Sequence, residues 1–494
     1  MRASSLALAL AGSLLAPSGS ARSAPGATQA RLEVGWISRD PVLPPPGNLH
    51  APPEEGWPDP GSRVQWLAHV LNRGSATAAA VPYAWRVDSE MALTGMVEVP
   101  PGETIVSLAW RWTFDRHLVS FEILPPPEIG DATRDDDQLT VVSDALGLGL
   151  WVQQGVYDWM AQDGRPGFER WIQREIDHWN LILARAIFPT TPQGVLDRIR
   201  LETLVVLPDS RTPRSDEITT DVHWFFPTVP YDPRFLAKDA PATTLADESI
   251  VLHELLHQRG LIDLYAYDVV HGFGQSEGGS GRADSRVDIT ENGKPIVGTL
   301  LMRAIVSGPS GMTLYRTPLN GLMGTQYRRP FANLTEHCAN GLNLRAGHRT
   351  PVWLDQWGNL IDGYSNTPQP DNYANLLPRR TDALLVDESG APIPGATVDV
   401  YMDHSPWTYQ KTYTAGPDRT YSSDARGVVA LPGDLFAGLP PAGAPPKAQV
   451  MILGVKTSRA RGYAFVPLHD LNLVYFRQGP ERGDLTLPVK LHPW

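Results

Sequence analysis

Residues 245–267 read L-A-D-E-S-I-V-L-H-E-L-L-H-Q-R-G-L-I-D-L-Y-A-Y, and the H-E-x-x-H inside them, His253, Glu254 and His257, decides how the rest of the chain is parsed. Residues four apart lie one turn above each other on a helix, so both imidazoles can reach a single ion while Glu254 stands beside them. Apolar Ile250, Val251, Leu252, Leu255 and Leu256 mark a buried helix, with Asp247 or Thr244 as its N-cap. Two neutral imidazole nitrogens suit zinc, whose bonds to histidine are about 2.0–2.1 Å long. One catalytic zinc ion is therefore the expected cofactor, lowering the pKa of water to roughly 7 so that Glu254 can act as general base in hydrolysis. The alternative is a core helix with two satisfied histidines, although burying two histidines and a glutamate without partners is costly.

Gly260 comes three residues after His257, and Asp263 three residues after Gly260. A glycine there can take a positive φ, end the helix and turn the chain back, which makes Asp263 the candidate third ligand. Further on, Asn320-Gly321-Leu322-Met323-Gly324 puts a methionine in a glycine-flanked turn. H-E-x-x-H-x-x-G-x-x-D with such a turn resembles the metzincin-like zincins, zinc metallopeptidases whose third ligand is usually histidine and in some members aspartate. The resemblance implies an α+β catalytic domain, Met323 as an apolar floor beneath the three ligands, and a protein or peptide substrate. It also implies a tyrosine near the turn that donates a hydrogen bond to the oxyanion. Tyr327 is the candidate, in a register that differs from the usual one, and Tyr265 is comparable.

The zincin-like segment is assigned to residues 135–376. Phe168, Trp171, Ile172, Ile176, Trp179 and Leu183 share one stripe, which predicts an amphipathic helix from Phe168 to Ile187. Arg200–Leu207 and Asp221–Phe226 read as strands, and an edge strand there would let an extended peptide pair beside the metal. Val287–Thr290 and Ile296–Leu301 flank Glu291-Asn292-Gly293-Lys294 as a hairpin, and Leu334–Leu342 reads as a helix. His271, Asp268 and Glu277 are alternative ligands, and Gly272–Gly281 is flexible by composition.

Outside this segment the pattern is strands. Residues 31–126 carry alternating runs such as Val64–Asn72 and Ala80–Asp88, separated by turns, which argues for a β-sandwich. The order V-L-N-R-G, a Trp-bearing strand, then P-P-G-E-T resembles bacterial immunoglobulin-like modules of the cell-adhesion-related type. Pro125-Pro126-Pro127 and the acidic run Asp131–Asp137 read as a linker. Residues 380–494 contain D-E-S-G-A-P-I-P-G-A-T-V, which resembles the transthyretin-like, carboxypeptidase-regulatory-like modules found beside secreted peptidases. Such β modules imply a spacer, or a cell-surface or carbohydrate contact.

Composition narrows the class. Net charge is −12, with 42 basic against 54 acidic residues, which argues against nucleic acid or an anionic membrane as partner. Residues 1–24 read as a signal peptide, with Arg2 and an apolar run from Leu6 to Ala16 too short to span a bilayer. Cys338 is the single cysteine, so no intramolecular disulfide can form, and a signal peptide without disulfides fits bacterial export. The expectation is a multidomain secreted or periplasmic monomer: an immunoglobulin-like β-sandwich, an α+β zincin endopeptidase and a C-terminal β-sandwich. A surface adhesion or carbohydrate-binding protein that keeps an inactive zincin-like core as scaffold is the alternative.

Overall fold

Seven strands come first among the described residues. They are β1 (Leu32–Asp40), β2 (Arg63–Asn72), β3 (Ala78–Val87), β4 (Glu90–Val99), β5 (Gly102–Arg111), β6 (Leu118–Ile123) and β7 (Gln138–Val142). The computed structural model describes residues 30–41, 58–72, 74–113, 117–124, 137–143, 145–162, 165–214, 217–218, 220–228, 249–271, 285–299, 306–308, 311–317, 321–324, 333–344, 346, 376–405, 410–436 and 448–493. Two antiparallel sheets, β1-β2-β5 and β4-β3-β6-β7, face each other. Trp66, Trp85, Val106 and Phe121 share the core between them. The sandwich reaches past the expected end at residue 126, because β7 pairs with β6 from Leu118↔Val142 to Glu122↔Gln138. Residues 125–136, read as a linker between domains, therefore connect two strands of one sheet.

Next come β8 (Leu146–Gln153), α1 (Gln154–Met160), α2 (Phe168–Ala184), β9 (Ile199–Leu207), β10 (Val222–Phe226) and α3 (Ser249–Gln258). β8 is buried along its whole length and lies between β10 and β9, parallel to both. Its Leu146, Leu148, Leu150 and Val152 share a core with the predicted α2 stripe and with Leu252, Leu255 and Leu256 of α3. α2 stops at Ala184, short of the expected Ile187, because Val195 returns to bond Leu183 O at 3.0 Å and takes a carbonyl of the last turn.

Beyond α3 lie a 3₁₀ turn (Leu264–Tyr267), β11 (Val269–His271), β12 (Arg286–Val287), β13 (Thr290–Glu291), β14 (Lys294–Pro295), α4 (Ile296–Thr299), β15 (Val306–Gly308), β16 (Gly311–Tyr315) and α5 (Glu336–Asn343). The expected hairpin exists, with β13 antiparallel to β14 around Asn292-Gly293. Its second arm is short: Pro295 has no N–H to extend the ladder, and Ile296 opens a helix instead of a strand.

The C-terminal part holds β17 (Arg380–Val386), β18 (Thr397–Tyr401), β19 (Thr412–Tyr413), β20 (Arg419–Ser422), β21 (Val428–Pro432), β22 (Val450–Lys456), β23 (Ala460–Pro467), α6 (Leu468–Gln478), β24 (Gly483–Pro488) and β25 (His492–Pro493). Sheets β21-β17-β24 and β20-β18-β22-β23-β25 enclose a second β core. β22 is apolar on both faces for a reason. Met451, Leu453 and Val455 point into that β core, whereas Val450 and Ile452 join the core of α2 and α3. The C-terminal sandwich, for which a spacer role and a cell-surface or carbohydrate contact were the expectations, shares a wall with the central segment. Among the described residues no helix is long and apolar enough to cross a membrane.

Candidate metal centre

α3 is anchored by Val251, Leu252, Leu255 and Leu256, each at most 5% exposed, and this fixes which way its histidines face. His253 and His257 are buried, and Glu254 is half-buried beside them. The helix ends in a Schellman motif: Gly260 N–H bonds His257 O at 2.8 Å, and Leu261 N–H bonds Leu256 O at 3.1 Å. That motif needs a left-handed residue, and Gly260 supplies it with φ of 83°. The chain then turns back so that Asp263 reaches the histidines.

Asp263 is the N-cap of the 3₁₀ turn, yet its side chain makes no capping bond. Its Oδ1 lies 3.2 Å from His253 Nε2 and 3.3 Å from His257 Nε2. The two Nε2 atoms are 3.1 Å apart. Three donor atoms thus form a nearly equilateral triangle. Bonds of about 2.0–2.1 Å in a tetrahedral zinc site imply ligand-to-ligand separations of about 3.3–3.4 Å, so the donor set fits that ion.

The second bond of each ring supports the same reading. His253 Nδ1 donates to Leu322 O and His257 Nδ1 donates to Leu261 O, both at 2.8 Å. A carbonyl oxygen can only accept, so the proton of each neutral ring sits on Nδ1 and the Nε2 lone pair faces the shared centre. Two lone pairs and a carboxylate oxygen converging on one point call for positive charge there, either a metal cation or an added proton. In the second case, with Nε2 protonated, burial pushes the Asp263 carboxyl up, but the hydrogen bonds and charge of the two histidines outweigh it and hold the group well below the usual carboxylate range.

The glycine-flanked methionine lies against these residues. Leu322, whose carbonyl orients His253, is itself held by Asn333 O at 2.6 Å, and Met323 O accepts from Leu264 N–H at 2.8 Å. Gly321 makes the turn possible: its φ is 87°, and a Cβ there would lie 2.9 Å from Asn333 O. Met323 is 1% exposed and packs in the same core as α3. Glu254 belongs to a group with His253 and His257 in which the ligand-type atoms all lie within 4.8 Å of one another. This is the range for a base acting through one water.

Other expected participants stand elsewhere. Asp268 is buried and accepts from Thr317 N–H at 2.8 Å, and His271 Nδ1 donates to Ser285 O at 3.0 Å, so both serve the backbone. Tyr265 lies half-buried in the 3₁₀ turn. Tyr327, Glu277, Asn320 and the N-cap candidates Thr244 and Asp247 fall outside the described residues. The expected pairing of a peptide on the edge strand meets an obstacle at His223 of β10. Gln258 of α3 takes its N–H at 3.0 Å and its C=O at 2.8 Å, closing that part of the edge. Cys338 is buried in α5, and burial pushes its thiol up to about 11, as suits an inert thiol. The residues that sequence reading missed are mostly carbonyls, Leu261 O and Leu322 O, which carry no side-chain signal.

No protein-family model matches the chain, and no curated protein matches it. Solved structures similar to part of it include a CARDB domain of a Pyrococcus furiosus protein in complex with di-metal ions, 9% identical over 24% of this chain and 94% of that one, with a TM-score of 0.18. A domain of a putative cell surface protein from Methanosarcina acetivorans is 15% identical over 23% of this chain and 90% of that one, with a TM-score of 0.16. Likeness at this level leaves the reading of the site to the chain's own geometry.

Proposed function

We propose that the chain is an exported zinc-dependent endopeptidase of the metzincin-like type, with His253, His257 and Asp263 as zinc ligands and Glu254 as general base. The observation that carries this is the triangle of donor atoms with edges of 3.1, 3.2 and 3.3 Å. When bound, zinc supplies Lewis acidity that polarises a peptide carbonyl and acidifies water. Glu254 takes the proton of the attacking water as its oxygen bonds the carbonyl carbon. The same carboxyl then gives that proton to the departing amine nitrogen as the C–N bond breaks. Leu261 O and Leu322 O keep both rings in one tautomer, and Met323 O pins the backbone next to Asp263.

The experiment compares the purified chain with Glu254→Gln for bound zinc and for cleavage of a mixed unfolded-protein substrate. The wild type should carry about one zinc and cut, while the variant keeps zinc and loses cleavage by at least about 100-fold. Absence of zinc, or equal cleavage by the variant, would overturn the assignment.

A second reading makes the chain a surface adhesion protein with an inactive core. It draws on β4, where Met91, Leu93 and Met96 are 51%, 38% and 61% exposed, an apolar surface on the immunoglobulin-like module. Zinc binding without cleavage by the wild type would favour it.

A further inference from the structure

We propose that Lys411, in the C-terminal part just before β19, is a positioning residue for Asp263, so that the metal-binding loop is completed across the junction between the central and C-terminal parts. The proposal rests on the zinc reading above and adds a residue to it. Lys411 is 0% exposed. A buried ammonium is retained only where it is bound, since desolvation of the charge opposes it. Its Nζ donates to Ala266 O at 2.8 Å, across 145 residues of sequence.

Ala266 belongs to the 3₁₀ turn that Asp263 opens. Within the turn Ala266 N–H bonds Asp263 O at 3.0 Å, and Asp268 N–H bonds Tyr265 O at 3.1 Å. The Ala266 carbonyl emerges at the C-terminal end, where carbonyls carry partial negative charge and a cation is the favourable partner. Leu264 N–H, at the other end, is held by Met323 O at 2.8 Å. The segment is thus clamped on both sides, by the methionine turn and by Lys411.

The backbone of Lys411 is fixed as well. Its C=O accepts from Arg286 N–H at 2.7 Å, and its N–H bonds Ser285 Oγ at 3.3 Å. β12 and β19 then run parallel, Arg286↔Thr412 and Val287↔Tyr413. A spacer has no need of a charged side chain threaded into its neighbour. The side-chain bond, the third that Lys411 makes, is aimed at the turn that carries Asp263 and limits how far Asp263 can drift from the two Nε2 atoms.

The test uses the full chain and Lys411→Met, which keeps the buried volume and removes the donor. Zinc affinity, measured by competition with a chelator, should fall about 10–100-fold, as for loss of partners that orient ligands. The visible bands of the cobalt-substituted protein should change with it, a signature that general loosening does not produce. Arg461→Met removes a different link across the same junction, the ion pair with Glu291 at 2.5 Å, and should leave zinc affinity unaltered. If Lys411→Met does not fold, the wild type decides: zinc should slow amide hydrogen exchange at residues 410–413 as well as at 263–268. Equal zinc affinity in wild type and Lys411→Met, or protection confined to the ligand segments, overturns this proposal alone. A wild type that binds no zinc overturns the site reading and this proposal with it.

Discussion

Asp263 sits at an N-cap, a position where an aspartate ordinarily accepts a hydrogen bond from the turn it precedes. Here the carboxylate is turned away to two imidazoles. A cap is worth about 1 kcal/mol, so the diversion indicates a stronger claim on that oxygen. Asp263→Asn retains the shape and removes the charge. Zinc affinity is expected to fall by at least about 100-fold with little change in far-ultraviolet circular dichroism; unchanged affinity would remove Asp263 from the ligand set. The convergence of the candidate ligands was legible in the sequence because helical spacing alone puts His253 and His257 on one face and a glycine alone lets Asp263 return. Lys411 was not, since a lone lysine far along the chain carries no mark of where it will be buried.

Gly260 shows what an element's end contributes. An L-residue in its left-handed conformation costs about 1–2 kcal/mol, and the Schellman bonds to Leu256 O and His257 O depend on that conformation. Gly260→Ala should lower the metal-free unfolding free energy by about 1–2 kcal/mol in urea titration and weaken zinc binding, because the return path to Asp263 shifts. A variant as stable as the wild type would show that the cap is dispensable. Among the elements, α2 was readable from its stripe and the hairpin from Asn292-Gly293. β8 carries no such signal for a physical reason: buried on both faces, it lacks the alternation by which a half-exposed strand is recognised. α6 follows β23 directly, with Pro467 as the one boundary mark between them.

At the scale of the whole molecule, the N-terminal sandwich has its own core, whereas the five-stranded C-terminal sheet is shared between two. Calorimetry should therefore resolve an N-terminal transition from one in which the central and C-terminal parts unfold together. A chelator should lower only the second. Between these parts lies His337 of α5, whose Nε2 is 3.3 Å from Asn472 Oδ1 and whose ring centroid is 5.5 Å from that of His469. Burial, with His469 adding to it and the Asn472 bond opposing, pushes His337 down to about 3 from 6.5. The unfolded chain thus binds this proton first, so the stabilisation is complete above pH 6.5 and is lost as pH falls toward 3. The urea midpoint of the joint unit should drop between about pH 7 and pH 4, with a shallower drop in His337→Gln; identical profiles would exclude the residue. Three modules were legible from patterning. The wall shared by the central and C-terminal parts was not, because it is written in both faces of β22 and in distant partners.

Zinc-edge X-ray absorption on the purified full chain tests the central claim most directly. The expected spectrum has about one zinc per chain, only nitrogen and oxygen neighbours at about 2.0–2.1 Å, and the multiple scattering of imidazoles. A sulfur neighbour at about 2.3 Å, or a chain that takes up no zinc, would contradict the assignment of His253, His257 and Asp263.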